Sequence, residues 1–181
     1  QSFVGAFIPS PTQEQLKQAI KTAIHHANSL GVTSIQDNSS AADLEIYQEL
    51  FKAGELTLRI NAWRHNYYSK NFEAIGILPN FGNDWLRIGT MKVFVDGSMG
   101  AGTALFYQPY SDDTTTSGIP IYPEDQLYEL IASIDKAGLQ IAAHAIGDKA
   151  NAWILNAFER AFRANGTRDA RHRIEHAQVV L

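Results

Sequence analysis

Three short stretches of this 181-residue sequence carry side chains able to bind a metal or move a proton: Met91-Lys92-Val93-Phe94-Val95-Asp96-Gly97, His144-Ala145-Ile146-Gly147-Asp148 and Arg171-His172-Arg173-Ile174-Glu175-His176-Ala177-Gln178. His144 closes an apolar run and precedes a glycine and an acidic helix start, a placement that aims an imidazole into a cleft. The plain alternative makes His144 a hydrogen-bonded core histidine and Asp148 a simple cap. On a strand His172, Ile174 and His176 share one face, with Arg173 and Glu175 on the other. His176 then lies nearer the C-terminal end and is the better ligand candidate, while His172 reads as structural. Alternation places Lys92, Phe94 and Asp96 together, opposite Met91, Val93 and Val95. A lysine in mid-strand of a covered parallel sheet is costly to bury as an ammonium. Three states relieve that cost: an ion pair with Asp96 or Asp37, a depressed pKa suited to Schiff-base chemistry, or a carbamate formed with carbon dioxide, which turns a cation into a bidentate oxygen ligand.

The elements that must position these residues follow an α/β rhythm. Thr12 with Gln15 has capping-box spacing and opens a helix to about Leu30, with Leu16, Ile20, Ala23, Ile24 and Ala27 on one face. Gly31 ends it, and Val32 to Asp37 reads as a strand. Ser40 with Asp43 opens a second helix with Leu44, Tyr47, Leu50 and Phe51 inward, Gly54 closes it, and Leu56 to Trp63 extends. A weaker helix spans Ser69 to Leu78, and Leu86 to Asp96 is the next strand. Pro123, read as a first helical position, starts a helix that buries Leu127, Leu130, Ile131 and Ile134 before Gly138. Leu139 to His144 is a strand. Asp148 caps a helix to about Ala164 with Ile154, Ala157, Phe158, Ala161 and Phe162 inward, and His172 to His176 is the last strand. Short connections of this kind force parallel pairing with right-handed crossovers. About five parallel strands with helices outside satisfy a doubly wound sheet or part of a (β/α) barrel.

Asp37, His65, Asp96, His144 and His176 all stand at or just past strand C-terminal ends, the chemical end of both folds. The connection from Gly97 to Ile121 leaves the same end. Its length far exceeds the usual βα loop, and Phe106, Tyr107 and Tyr110 favour an ordered lid over a linker. With Lys+Arg 15 against Asp+Glu 19 and no basic cluster, nucleic acid and anionic membrane are excluded as partners. The absence of cysteine removes disulfides, thiolate metal sites and a cysteine nucleophile. There is no transmembrane run, and QSFVGAFIPSPTQEQ lacks the basic start and apolar core of a signal peptide, so a soluble, cytoplasmic setting is favoured.

The three motifs MKVFVDGSMG, QIAAHAIGDKAN and RHRIEHAQ, in that order and on successive strand ends, resemble the metal-dependent amidohydrolase superfamily, and within it the amidohydrolase-3 branch that includes N-substituted formamide deformylases. The resemblance runs from Gly31 to the end. It implies an α/β fold forming part of a (β/α)8 TIM barrel, with residues 1–181 an internal segment covering about strands two to six. It also implies a metal-dependent hydrolase of C–N bonds other than peptide bonds, acting in the intact parent on a small-molecule substrate of amide or formamide type. By the same resemblance Lys92, His144 and His176 are the metal-ligand positions, with Lys92 carbamylated in many relatives, and the cofactor is one or two divalent ions, zinc above all. No catalytic role is carried onto Asp148 or Gln178. The family's first-strand His-x-His pair, its strand-eight aspartate and its β-sandwich have no counterpart here, since His25 and His26 are adjacent on a helix. Where relatives often have Ser-Arg-Thr after DGS, this sequence has Ala101-Gly102-Thr103. The segment alone is therefore expected to be inactive and to self-associate through open sheet edges. Two other readings compete: an aldolase-like barrel with Lys92 as Schiff-base lysine and GSMGAG as an anion cradle, and a non-catalytic scaffold or regulatory module.

Overall fold

The computed structural model describes residues 7–181. Residues 1–6, part of the stretch read for a signal peptide, lie outside the described residues. The elements in chain order are α1 (Gln13–Ser29), β1 (Ser34–Asn38), α2 (Ala41–Lys52), β2 (Arg59–His65), α3 (Ser69–Ala74), the two-residue β3 (Phe81–Gly82), β4 (Leu86–Phe94), α4 (Glu124–Lys136), β5 (Gln140–Ala145), α5 (Asp148–Asn165) and β6 (Arg173–His176). The strands are ordered β1-β2-β4-β5-β6, with β3 pairing off that path to β4. The alternation of helix and parallel strand is that of a partial (β/α)8 barrel. Among the described residues no helix is long and apolar enough to cross a membrane.

The chain divides into two compact units, Gln1–Ala62 with Gly82–Arg87, and Trp63–Phe81 with Ile88–Leu181. In the first, both N-terminal capping boxes form: Thr12 with Gln15 on α1 and Ser40 with Asp43 on α2. The α2 stripe is Ile46, Tyr47 and Leu50, and Phe51 turns outward, because the buried row follows i, i+1, i+4 from Ile46 rather than ending on the last turn. At the end of β1 the Asp37 carboxylate accepts hydrogen bonds from the hydroxyls of Ser39 (2.5 Å) and Tyr47 (3.0 Å), so it already has partners within its own unit. Burial and the Asp37 charge push the Tyr47 hydroxyl pKa upward.

The second unit holds the larger core. Met91, Val93 and Val95 meet Ile141, Ala143 and Ala145 across β4 and β5, and α4 and α5 cover them with Leu127, Ile131, Ile134, Ile154 and Ala157. One side of each strand is thereby committed to the helices, as alternation predicts. Among the boundaries that differ from the sequence reading, three lie at helix ends. Pro123 has an extended ψ of 148° and caps α4 from outside, so the helix begins at Glu124. Gly147 is the N-cap of α5; Asp148 occupies the first helical position, where its carboxylate accepts the backbone N–H of Lys149 and of Tyr107. Helix α3 stops at Ala74, since Gly76 turns the chain at positive φ and the Ile77 N–H bonds back to Phe72 O.

The 97–121 connection is ordered, as its aromatics suggest. Backbone bonds join Phe106 to Ser117, Tyr110 to Thr116, Ile119 to Thr103 and Ile121 to Val95, while the Tyr110 hydroxyl donates to Ala104 O (2.8 Å). Phe106 and Tyr110 meet edge to face. The loop is a fixed wall stitched to the end of the strands.

Candidate metal centre

The parallel register pairs Lys92 with Ala142, Phe94 with His144, Ala142 with Arg173 and His144 with Glu175. Because paired residues in a parallel sheet point the same way, Lys92, Phe94, His144, Arg173 and Glu175 share the face opposite the helices. Lys92 is 6% exposed, with Nζ 4.8 Å from the Phe94 ring centre and 5.8 Å from that of Trp63. Burial lowers its pKa, with Glu175 opposing the shift and Arg173 adding to it. The ion pair with Asp96 weighed from sequence does not form. Asp96 is occupied by backbone amides, and among the described residues of its own unit no carboxylate lies within 4 Å of Lys92 Nζ; Asp37 has Ser39 and Tyr47 as partners in the other unit. Glu175, which itself pairs with Arg173, is the acid whose charge reaches Lys92. Alternation on β6, which sets Arg173 and Glu175 opposite Ile174, is the sequence signal that could have found it.

His144 and His176 come together: their ring centres are 4.7 Å apart, edge to face. The register alone would not do this. His176 pairs with Ala145, whose side chain lies in the helix-facing core, so regular pleating would send His176 the same way. Instead its φ is +77°, and that of Ala177 is +42°. This left-handed conformation, uncommon for residues other than glycine, breaks the pleat and brings the imidazole against His144. The expectation that His172, Ile174 and His176 share one face is corrected accordingly: Ile174 packs on the helix-covered core, His172 stacks on Phe158 and Phe162, and His176 leaves them.

The ring nitrogens of His144 have distinct roles. Nε2 lies 2.8 Å from Gly97 O, an acceptor with no hydrogen of its own, so Nε2 carries the proton and Nδ1 holds the free lone pair. Burial lowers the His144 pKa, opposed by the Gly97 carbonyl and the Asp96 charge and assisted by His176 and Lys92. A neutral imidazole with a free lone pair is the form that binds metal. His65, at the end of β2, accepts the Tyr67 N–H at Nδ1 (3.5 Å) and stacks 6.3 Å from Phe94; burial lowers its pKa too. In the glycine-rich turn the amides of Gly97, Ser98 and Gly102, like those of Thr103 and Ala104 after it, bond within the loop.

His172 sits elsewhere and is wired as structure. Its Nδ1 accepts the Ile141 N–H (3.2 Å), so Nε2–H is the tautomer that donates to Asp135 Oδ1 (3.0 Å). Burial lowers the His172 pKa, against the pull of Asp135. Below the unfolded histidine value of about 6.5 the unfolded chain takes up a proton that the folded chain refuses. Stability is thus complete above that pH and falls as the pH drops through it toward the folded value. Burial by itself would raise the Asp135 carboxyl, but hydrogen bonds from Asn165 and His172 and the Arg168 charge together hold it below 3.8, so its contribution is lost at lower pH still. Urea midpoints measured from pH 7.5 down to 5 are expected to decline, and the decline above pH 5 to shrink in His172→Gln.

The Amidohydrolase family model matches residues 1–181, and the chain belongs to that family. It is 48% identical over 96 residues to Protein LONG AFTER FAR-RED 3 of Arabidopsis thaliana, covering 53% of this chain and 16% of that protein. It is 30% identical over 186 residues to YtcJ of Bacillus subtilis (strain 168), covering 99% of this chain and 34% of YtcJ. The crystal structure of an uncharacterized metal-dependent hydrolase from Pyrococcus horikoshii OT3 superimposes with a TM-score of 0.80 at 35% identity, over 94% of this chain and 34% of that one. The chain therefore spans about a third or less of the length of the proteins it matches.

Proposed function

We propose that this chain supplies Lys92, His144 and His176 to the metal site of a hydrolase that cleaves C–N bonds other than peptide bonds, in amide or formamide-type small molecules. The supporting observation is the edge-to-face approach of the His144 and His176 rings at 4.7 Å, beside a buried lysine without an adjoining carboxylate. Two imidazoles fit a divalent transition metal, zinc best, and they form part of a ligand set: among the described residues no three His, Asp or Glu side chains group to hold an ion. When bound, a divalent ion polarises the scissile carbonyl and acidifies a water.

The chain's own residues prepare that chemistry. His144 presents a lone pair at Nδ1 because Gly97 O holds its Nε2–H. Lys92, whose ammonium form burial disfavours, is disposed to add carbon dioxide: the ammonium gives up one proton, the freed Nζ lone pair forms the N–C bond with loss of a second proton, and a carbamate oxygen pair replaces a cation. The wall made by Phe106, Tyr107 and Tyr110 suits an apolar or aromatic substituent on the substrate.

The test is elemental analysis of the 181-residue chain beside a complete barrel containing it, with N-substituted formamides as substrates. The chain alone is expected to retain well under one zinc per molecule after dialysis and to hydrolyse nothing, having too few ligands. The complete barrel is expected to hold one or two metals and to lose hydrolysis on chelation. A stoichiometric dinuclear centre in the isolated chain, or metal-independent hydrolysis by the complete barrel, would refute the proposal.

A further inference from the structure

Asp96 follows Lys92 by four residues and is 1% exposed, yet its carboxylate faces backbone rather than a lysine or arginine. Oδ1 accepts the N–H of Ile146 (3.0 Å), and Oδ2 accepts those of Gly147 (2.9 Å) and Leu105 (2.9 Å). One side chain thus ties together three segments: the end of β4, the 97–121 loop, and the turn between β5 and α5. His144 is enclosed by this knot, with Nε2 3.6 Å from Asp96 Oδ1 and 2.8 Å from the carbonyl of Gly97, the residue after Asp96. The two adjoining glycines permit the approach. A Cβ on Gly97 would stand 2.0 Å from Thr103 Oγ1, and one on Gly147 would stand 2.0 Å from Leu105 O.

We propose that Asp96 is a positioning residue: by anchoring the 146–147 turn and the start of the 97–121 loop it holds Gly97 O against His144 Nε2–H, and so dedicates Nδ1 of that imidazole to the metal. The geometry favours this because both oxygens near Nε2 are acceptors, one of them on a carboxylate. The opposite tautomer would turn a nitrogen lone pair toward a carbonyl oxygen and forfeit a buried hydrogen bond. The metal clause rests on the function proposed above; the tautomer clause does not.

The experiment is long-range 1H–15N NMR of the histidine side chains in the metal-free chain at pH 7.5, together with zinc titration of a complete barrel containing it against a competing chelator, for wild type and Asp96→Asn. Wild-type His144 is expected as the Nε2–H form. In the variant the amide NH2 opposes a backbone N–H, so the His144 nitrogen shifts are expected to move toward those of mixed tautomers. The Leu105, Ile146 and Gly147 amides should exchange faster, and zinc affinity should fall by about 10–100-fold. A wild-type His144 in the Nδ1–H form overturns the inference without any variant. So do unchanged His144 shifts in Asp96→Asn, whether or not zinc affinity falls. Shifted tautomers with the zinc affinity of the complete barrel unchanged uphold the positioning role and sink the metal reading instead. Should the asparagine variant fail to fold, Asp96→Glu, which keeps the charge but lengthens the arm, is read in the same way.

Discussion

Replacing Lys92 by methionine is expected to abolish hydrolysis in a complete barrel while leaving the fold as stable as before, or more so. Methionine nearly matches the lysine stem in volume and is at home among Trp63, Phe94 and the strand, whereas the ammonium is disfavoured there by burial. No carboxylate depends on Lys92 as its near partner, so the substitution strands no buried anion. If Lys92, free or carbamylated, helps hold the metal, its loss forfeits several kcal/mol of transition-state stabilisation, on the order of a thousandfold or more in rate. Metal content and kcat/KM report the first effect and the urea midpoint of the 181-residue chain reports the second. A lysine that was merely structural would show the reverse pattern, with stability lost and metal retained. A Schiff-base lysine would lose activity without losing metal, and borohydride would trap a carbonyl substrate on the wild type.

The second large effect is expected at Asp135, which takes no part in the proposed metal site. Its side chain is fully buried and receives Arg168 Nη2 (2.8 Å), His172 Nε2 (3.0 Å) and Asn165 Nδ2 (2.9 Å). Asp135→Ala removes the carboxylate, leaving a buried imidazole N–H without an acceptor and a half-buried guanidinium with only backbone carbonyls such as Leu139 O, a change expected to cost about 3–5 kcal/mol. Asp135→Asn keeps one oxygen for Arg168 and His172 but sets its NH2 against that of Asn165, so about 1–3 kcal/mol is expected. Urea unfolding at pH 7.5 separates the two. The graded loss follows from the count of donors left without an acceptor, which is the usual origin of large effects from buried polar sites.

How much of this was legible beforehand differs by residue. The capping boxes at Thr12 and Ser40, the glycine helix ends and the alternation of Met91, Val93 and Val95 against Lys92 are local properties, decided by which backbone groups a nearby side chain can reach and by a period of two or 3.6. They were readable, and they sufficed for the α/β rhythm and for the burial of Lys92. The partners of that lysine were not. Asp96 and Asp37 look available in sequence, but tertiary folding delivers three amide N–H groups from Leu105, Ile146 and Gly147 to the first and a tyrosine hydroxyl to the second. Glu175, whose charge acts on Lys92, arrives only through the β5–β6 register.

The same division holds at the imidazoles. Sequence alone determined that His144 and His176 end successive strands, since apolar β-forming runs and the glycines around them set where each strand begins and stops. Only the tertiary structure decided that their rings meet. A regular pleat would have turned His176 toward α5, and it is the left-handed backbone at His176 and Ala177, a conformation no local propensity favours, that turns it to His144. Backbone strain of this kind persists because surrounding bonds, among them Ala177 N–H to Ala145 O and Val179 N–H to Ile146 O, hold the segment in place. Those bonds join residues about thirty positions apart, beyond the reach of any sequence window.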